Sequence, residues 1–160
     1  MTDSNVRRTE FIDAMRRVAC SVSVVTTDGM AGRYGATVSA FCSVSADPPT
    51  VLVCLNASSR IAQHVRENGM FTLNVLAQDA RHVAMRFAGM HDAEVADRFE
   101  GVDADLAGAT ALRCDLVQVT EQATHLICIG AVQEVSLGSD QPLTYLGGRY
   151  GTVTGQEEAA

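Results

Sequence analysis

Gly35-Ala36-Thr37-Val38-Ser39-Ala40-Phe41-Cys42-Ser43-Val44-Ser45-Ala46-Asp47-Pro48-Pro49, or GATVSAFCSVSADPP, is the stretch that decides how this chain is read. Small and hydroxylated residues alternate with Val38, Phe41 and Val44, close to the period of two that side chains follow along a strand. From Tyr34 to Ser45 the pattern predicts one or two strands with a bend, ended by Pro48-Pro49. Immediately downstream, Val51 to Leu55 is apolar at every position, which predicts a central strand buried on both faces.

Upstream, Ser21 to Thr27 is rich in valine and threonine and predicts a strand that turns at Asp28-Gly29. Phe11, Ile12, Met15, Val18 and Ala19 recur at helical spacing, so a helix is expected over about residues 9–19, with Thr9 as its cap. Residues 1–8 and the tail after Val153 are polar and expected to be loose. Downstream, Ser58 or Ser59 caps a helix carrying Ile61, Ala62 and Val65, and Gly69 stops it. Met70 to Leu76 reads as a strand, Ala80 to Ala88 as a helix, and Arg98 to Gly108 as a surface loop. Cys114 to Thr120, Leu126 to Val135 and Leu143 to Leu146 complete the strands.

About six or seven strands joined mainly by short turns, with three inserted helices, point to a mainly β fold. The expected architecture is a closed or partly closed antiparallel barrel with peripheral helices. Helices and strands do not alternate regularly, and no G-x-G-x-x-G follows a strand, so a doubly wound nucleotide fold is not indicated. At 160 residues, the chain is read as a single domain over 1–160.

The net charge of −7 argues against a nucleic-acid partner, and no apolar run is long enough to span a bilayer. Five cysteines, odd in number and without C-x-x-C spacing, read as reduced thiols of a cytoplasmic protein. The four histidines form no ligand-spaced pair, so no metal site is expected.

Three segments carry candidate chemistry. In the first, Gly35 permits close backbone approach to a ligand, and Thr37, Ser39 and Ser43 offer small donors beside main-chain amides. A flat, polar-edged heterocycle such as isoalloxazine suits that surface; an ordinary strand with solvent-facing hydroxyls fits the same letters. In the second, Asn56-Ala57-Ser58-Ser59-Arg60 sits at a helix start, where free N–H groups, hydroxyls and a guanidinium suit a phosphate. A plain serine cap beside a solvated arginine is the alternative. In the third, Tyr145 to Gly151 is dense in glycine and aromatic residues, either a loop closing over a flat cofactor or a β-turn. His125 begins an apolar strand; direct hydride transfer to a flavin needs no acid or base at the accepting atom, so His125 reads as a nicotinamide-orienting group or as structural. No residue is expected to act as a catalytic acid or base. Arg81, Arg86 and Arg98 read as solvated, and Phe87 as core.

In order, Phe11 to Met15, Val25 to Gly29, GATVSAFCSVSADPP, Val53 to Asn56, Asn74 to Leu76, Phe87 to Met90, Arg98-Phe99, Thr124 to Leu126 and Tyr145 to Tyr150 resemble the short-chain flavin reductases. These are the reductase components of two-component flavin-dependent monooxygenases, of the 4-hydroxyphenylacetate monooxygenase type. The resemblance covers nearly the whole chain. It implies an FMN-binding split barrel, antiparallel and Greek-key-like, usually a homodimer with flavin near the subunit interface. It implies NADH, or less favoured NADPH, reducing FMN or FAD, which diffuses to an oxygenase partner. Gly35, Ala36, Thr37, Val38, Ser39 and Ser43 would hold the isoalloxazine and ribityl chain, with Cys54 and Phe87 beside them. Asn56, Ser58, Ser59 and Arg60 would meet the phosphate, and His125, Tyr145, Arg149 and Tyr150 the nicotinamide side. Two departures stand out: Gly101 to Arg113 is short and lacks a tryptophan common in relatives, and Gly147-Gly148 replaces bulkier residues. Within the same fold, a resident FMN reducing a corrinoid or ferric chelate, or a non-catalytic flavin-binding module, would also fit.

Overall fold

A computed structural model describes residues 2–102, 106 and 108–155, with side chains from residue 7 onward. In chain order the elements are α1 (Thr2–Met15), β1 (Cys20–Ser21), β2 (Ser23–Thr27), β3 (Tyr34–Val38), β4 (Phe41–Ala46), β5 (Pro49–Asn56), α2 (Arg60–Asn68) and β6 (Met70–Leu76). They continue with α3 (Arg81–Phe87), β7 (Gly108–Gln122), β8 (His125–Leu137), β9 (Thr144–Leu146) and β10 (Arg149–Gly151).

Seven strands form one antiparallel sheet in the order β3-β2-β6-β7-β8-β5-β4. β3 and β4 lie at opposite edges of that order, yet only Ser39 and Ala40 separate them in sequence. Two residues span well under 10 Å, so the sheet must curl until its edges meet. No ladder joins β3 to β4. The result is a barrel with a seam, and GATVSAF runs along it.

The core lies in two clusters. Val25, Val53, Leu55, Phe71, Leu73 and Cys128 fill the barrel, joined by Ile61, Ala62 and Val65 of α2. On the other side of β2, Val22 and Val24 pack with Val83, Ala84 and Phe87 of α3 and with Leu143. Val24 and Val25 are both fully buried, so β2 is covered on both faces. Val51 to Leu55 is not: Val51, Val53 and Leu55 are buried, while Leu52 and Cys54 are half exposed on the outer face. A continuous apolar run does not by itself reveal which strand a helix covers.

Local signals explain most elements. Ser59 caps α2, its hydroxyl accepting the Ala62 N–H at 3.3 Å, and Gly69 ends it in the left-handed region at φ 69°. α1 departs from expectation. It begins at Thr2, runs through Thr9 and stops at Met15. Its apolar residues are not buried: Phe11 is 65% exposed and Met15 49%, as is Val18 beyond it at 47%. Strands β7 and β8 are longer than expected, and β10 is additional. The Arg98 to Gly108 segment is not wholly surface: Leu106 is buried, and Phe99 and Val102 pack on the second cluster. Residues 103–105, 107 and 156–160 of the expected loop and tail lie outside the described residues, as does residue 1. No described helix is long and apolar enough to cross a membrane.

Ala123 adopts φ 52° in the β7–β8 turn, a conformation costing an L-residue about 1–2 kcal/mol. Ala123→Gly removes that strain but enlarges the unfolded ensemble by about 0.4–1 kcal/mol. The net expectation is a stabilisation of up to about 1.6 kcal/mol, read from the midpoint of urea unfolding.

Candidate functional site

At the start of β3 a 570 Å³ cleft opens between the seam, the first turn of α2 and residues 92–99. Tyr34 is its floor. Arg60 stacks over the Tyr34 ring at 4.7 Å, Arg98 approaches it at 5.3 Å, and His64 stacks on it with centroids 5.1 Å apart. Arg33 lies over Phe99 at 4.2 Å.

Three arginines and two aspartates face this cleft, and their pairing decides its charge. Arg98 donates to Asp92 at 2.6 and 2.8 Å, and Arg33 to Asp97 at 3.0 Å. Among the described residues, no carboxylate lies within ion-pair distance of Arg60. It stands at the N-terminus of α2, where unpaired N–H groups and the helix dipole add positive potential. The cleft is therefore locally cationic in a chain of net charge −7.

Arg98 is not solvated. Only 17% of its side chain is exposed, and besides Asp92 it donates to the Gly35 carbonyl at 3.1 Å and the Phe87 carbonyl at 3.0 Å. It ties the 92–98 wall of the cleft to the seam strand. Arg86 likewise donates to the Glu100 carbonyl, and Arg81 lies 5.4 Å over the Tyr150 ring. The hydrogen bond from Arg98 holds the Asp92 carboxyl below its ordinary 3.8. A lowered folded value stabilises the protein above 3.8, and that contribution is lost as pH falls through it. Asp92 is exposed, so the effect is small. Acid titration of stability checks it: Asp92→Asn lacks that component below about pH 4.

The expected site residues separate into groups. Gly35 is buried, and its lack of a side chain serves packing: a Cβ there would lie 2.6 Å from the Phe87 ring. Phe87 is fully buried and meets Phe99 edge-on at 5.0 Å, so it supports the site from beneath and exposes no surface to a ligand. The Thr37 hydroxyl donates to the Ala84 carbonyl at 2.7 Å, anchoring β3 to α3. Ala36 and Val38 are half-buried against the barrel core, whereas Ser39 and Ser43 are exposed. Cys54, on β5, donates its N–H to the Ala40 carbonyl at 2.9 Å; burial, then neighbouring Cys42, pushes its thiol up. All five cysteines are unpaired, and burial raises Cys114 and Cys128 to about 11, which leaves both thiols inert.

Asn56, Ser58 and Ser59 form one turn before α2. The Asn56 side-chain oxygen accepts from the Ser58 N–H at 2.9 Å and hydroxyl at 2.8 Å, and the Ser59 hydroxyl donates to the Asn56 carbonyl. Opposite Asn56 on β8 stands His125. The ladder thus places His125 beside the α2 turn, and His125 does not line the hollow that holds Arg149 and Tyr150. Those two line a separate hollow along β9 and β10, while Tyr145 shares another with Ser39, Phe11 and Met15. Tyr34, Arg33, Asp92 and Asp97 were not anticipated; no short motif marks them, because the strand order assembles them.

A cationic helix start beside an aromatic floor, open at a barrel seam, fits a phosphate-bearing flat cofactor. Comparison with known proteins identifies the family. Residues 15–154 match the family described as flavin reductase like domain. The FMN reductase (NADH) RutF of Ancylobacter novellus is 36% identical over an alignment covering 96% of this chain and 89% of that protein. The 4-hydroxyphenylacetate 3-monooxygenase reductase component of Salmonella typhimurium is also 36% identical, covering 96% of each. Among solved structures, flavin reductase PheA2 superposes with a TM-score of 0.82 at 26% identity, covering 92% of this chain and 98% of its own. The seam, the barrel and the order of the quoted segments have one explanation: this chain belongs to the flavin reductase like domain family.

Proposed function

We propose that the chain, acting as one domain, is an NADH-dependent flavin reductase supplying reduced FMN or FAD to a partner flavin-dependent monooxygenase. The carrying observation is Arg60 at the start of α2, which has no carboxylate within ion-pair distance among the described residues and only a longer-range attraction to Asp92, in a cleft where Arg33 and Arg98 are already paired. The donor set fits a flavin phosphate: Arg60 and the first N–H groups of α2 would hold it, and the Ser58 hydroxyl would join them on leaving Asn56. Amides and small side chains from Gly35 to Ser43 would border the ring system along the seam. Bound flavin supplies the acceptor for a hydride from reduced nicotinamide. The protein contributes orientation, an effect worth on the order of 7–11 kcal/mol at best. His125 would orient the nicotinamide as a neutral hydrogen-bonding group, and NADPH is the less favoured donor.

The relatives named above support NADH as donor and an oxygenase as recipient. Exposed Phe11, Met15 and Val18, continuous with Tyr145 around one hollow, support a homodimer that covers them; five unpaired cysteines support a cytoplasmic setting. NADH oxidation by the purified chain, with and without added FMN or FAD, tests the activity. A flavin-dependent rate well above the uncatalysed background is expected, and its absence overturns the proposal.

A further inference from the structure

β7 and β8 meet at a two-residue turn, Ala123-Thr124, with Gln122 opposite His125. The turn is pinned on several sides. Ala123 sits in the left-handed region at φ 52°. The Thr124 carbonyl accepts the Ala57 N–H at 3.0 Å, binding the turn to the segment that opens α2. The Thr124 hydroxyl lies 2.9 Å from His125 Nδ1. Asn56, facing His125 across the β5–β8 ladder, already spends its side-chain oxygen on Ser58.

An imidazole has two distinct nitrogens, and the bond made by one determines what the other offers. We infer that Thr124 is a positioning residue for flavin reduction: its hydroxyl engages Nδ1, leaving Nε2 as the nitrogen His125 presents to the nicotinamide of the hydride donor. Thr124 has this part only because His125 meets the nicotinamide, the role proposed above. An exposed ring at a strand start otherwise samples several rotamers, and each binding event then bears the cost of ordering it. Fixing the ring beforehand moves that cost into folding. The gain accordingly appears in the KM for NADH more than in kcat.

Thr124→Val keeps the shape and removes the hydroxyl; Thr124→Ser keeps the hydroxyl. Steady-state kinetics, flavin affinity by fluorescence, and proton–nitrogen correlation spectra of the His125 ring are measured on both and on His125→Ala. Thr124→Val raises the KM for NADH roughly fivefold, the scale of one hydrogen bond, with kcat within about twofold and flavin affinity unchanged. The His125 ring signals shift in Thr124→Val and return in Thr124→Ser. Unchanged ring signals in Thr124→Val, with KM raised in His125→Ala, overturn the assignment to Thr124 while leaving His125 in place. A wild-type KM in His125→Ala removes the nicotinamide role and the Thr124 proposal with it.

Discussion

Replacing Arg60 with glutamine weakens flavin binding by about 10- to 100-fold, the equivalent of the roughly 1.5–3 kcal/mol of a charge-assisted hydrogen bond. The reasoning is a count of charge. Arg33 and Arg98 are held by Asp97 and Asp92, and each of those pairs is close to neutral when viewed from the cleft. Arg60 and the first turn of α2 supply the remaining positive potential. Glutamine keeps an N–H donor on a shorter side chain, so the salt dependence of the loss is what isolates the charge. Stability should hardly change, because Arg60 is exposed and its side chain meets the Tyr34 ring and, at longer range, the exposed Asp92 carboxylate. Flavin fluorescence quenching at two salt concentrations checks the point: wild-type affinity falls with salt, and the variant's falls less. Equal affinity in wild type and variant would mean that the phosphate is held elsewhere.

Phe87→Ala has the larger effect on folding, a loss of about 3–5 kcal/mol. The ring is fully buried in the cluster between β2 and α3. It fills the space left by Gly35 and takes the edge of Phe99, so its removal opens a cavity directly under the cleft wall. Gly35→Ala alone is also destabilising, because its Cβ would press on the Phe87 ring at 2.6 Å. In the Phe87→Ala background that Cβ enters vacated space. The two substitutions are therefore non-additive, the double variant being more stable than the sum of the single losses predicts. Denaturant unfolding of the four proteins in the cycle measures the coupling, and strict additivity would contradict the packing described.

Both predictions depend on residues that were unequally visible in the linear chain. Ser59, Gly69 and the α2 apolar stripe Ile61, Ala62 and Val65 act through bonds within a few positions, so their roles follow from local order. The same holds for Arg60, whose value comes from standing at a helix start. Arg98 is the opposite case. Its carbonyl partner Gly35 lies 63 positions away, and nothing adjacent to Arg98 distinguishes it from a solvated arginine. Gly35 reads in the sequence as a point of close approach for a ligand and Phe87 as core; their proximity makes them packing partners. The apolar spacing in α1 was genuine, yet its stripe is left exposed on this chain, because periodicity reveals an apolar face without revealing what covers it.

From the sequence alone came the β-rich barrel, the phosphate-suited turn at Asn56 to Arg60, and the family that their order resembles. Tertiary structure decided where the seam falls, which strand is buried on both faces, which cleft arginine lacks an ion pair among the described residues, and that His125 neighbours the α2 turn. Caps, turns and alternation are short-range and leave their mark in neighbouring letters. Strand order is set by contacts between segments far apart in the chain, and only the closed sheet brings those segments face to face.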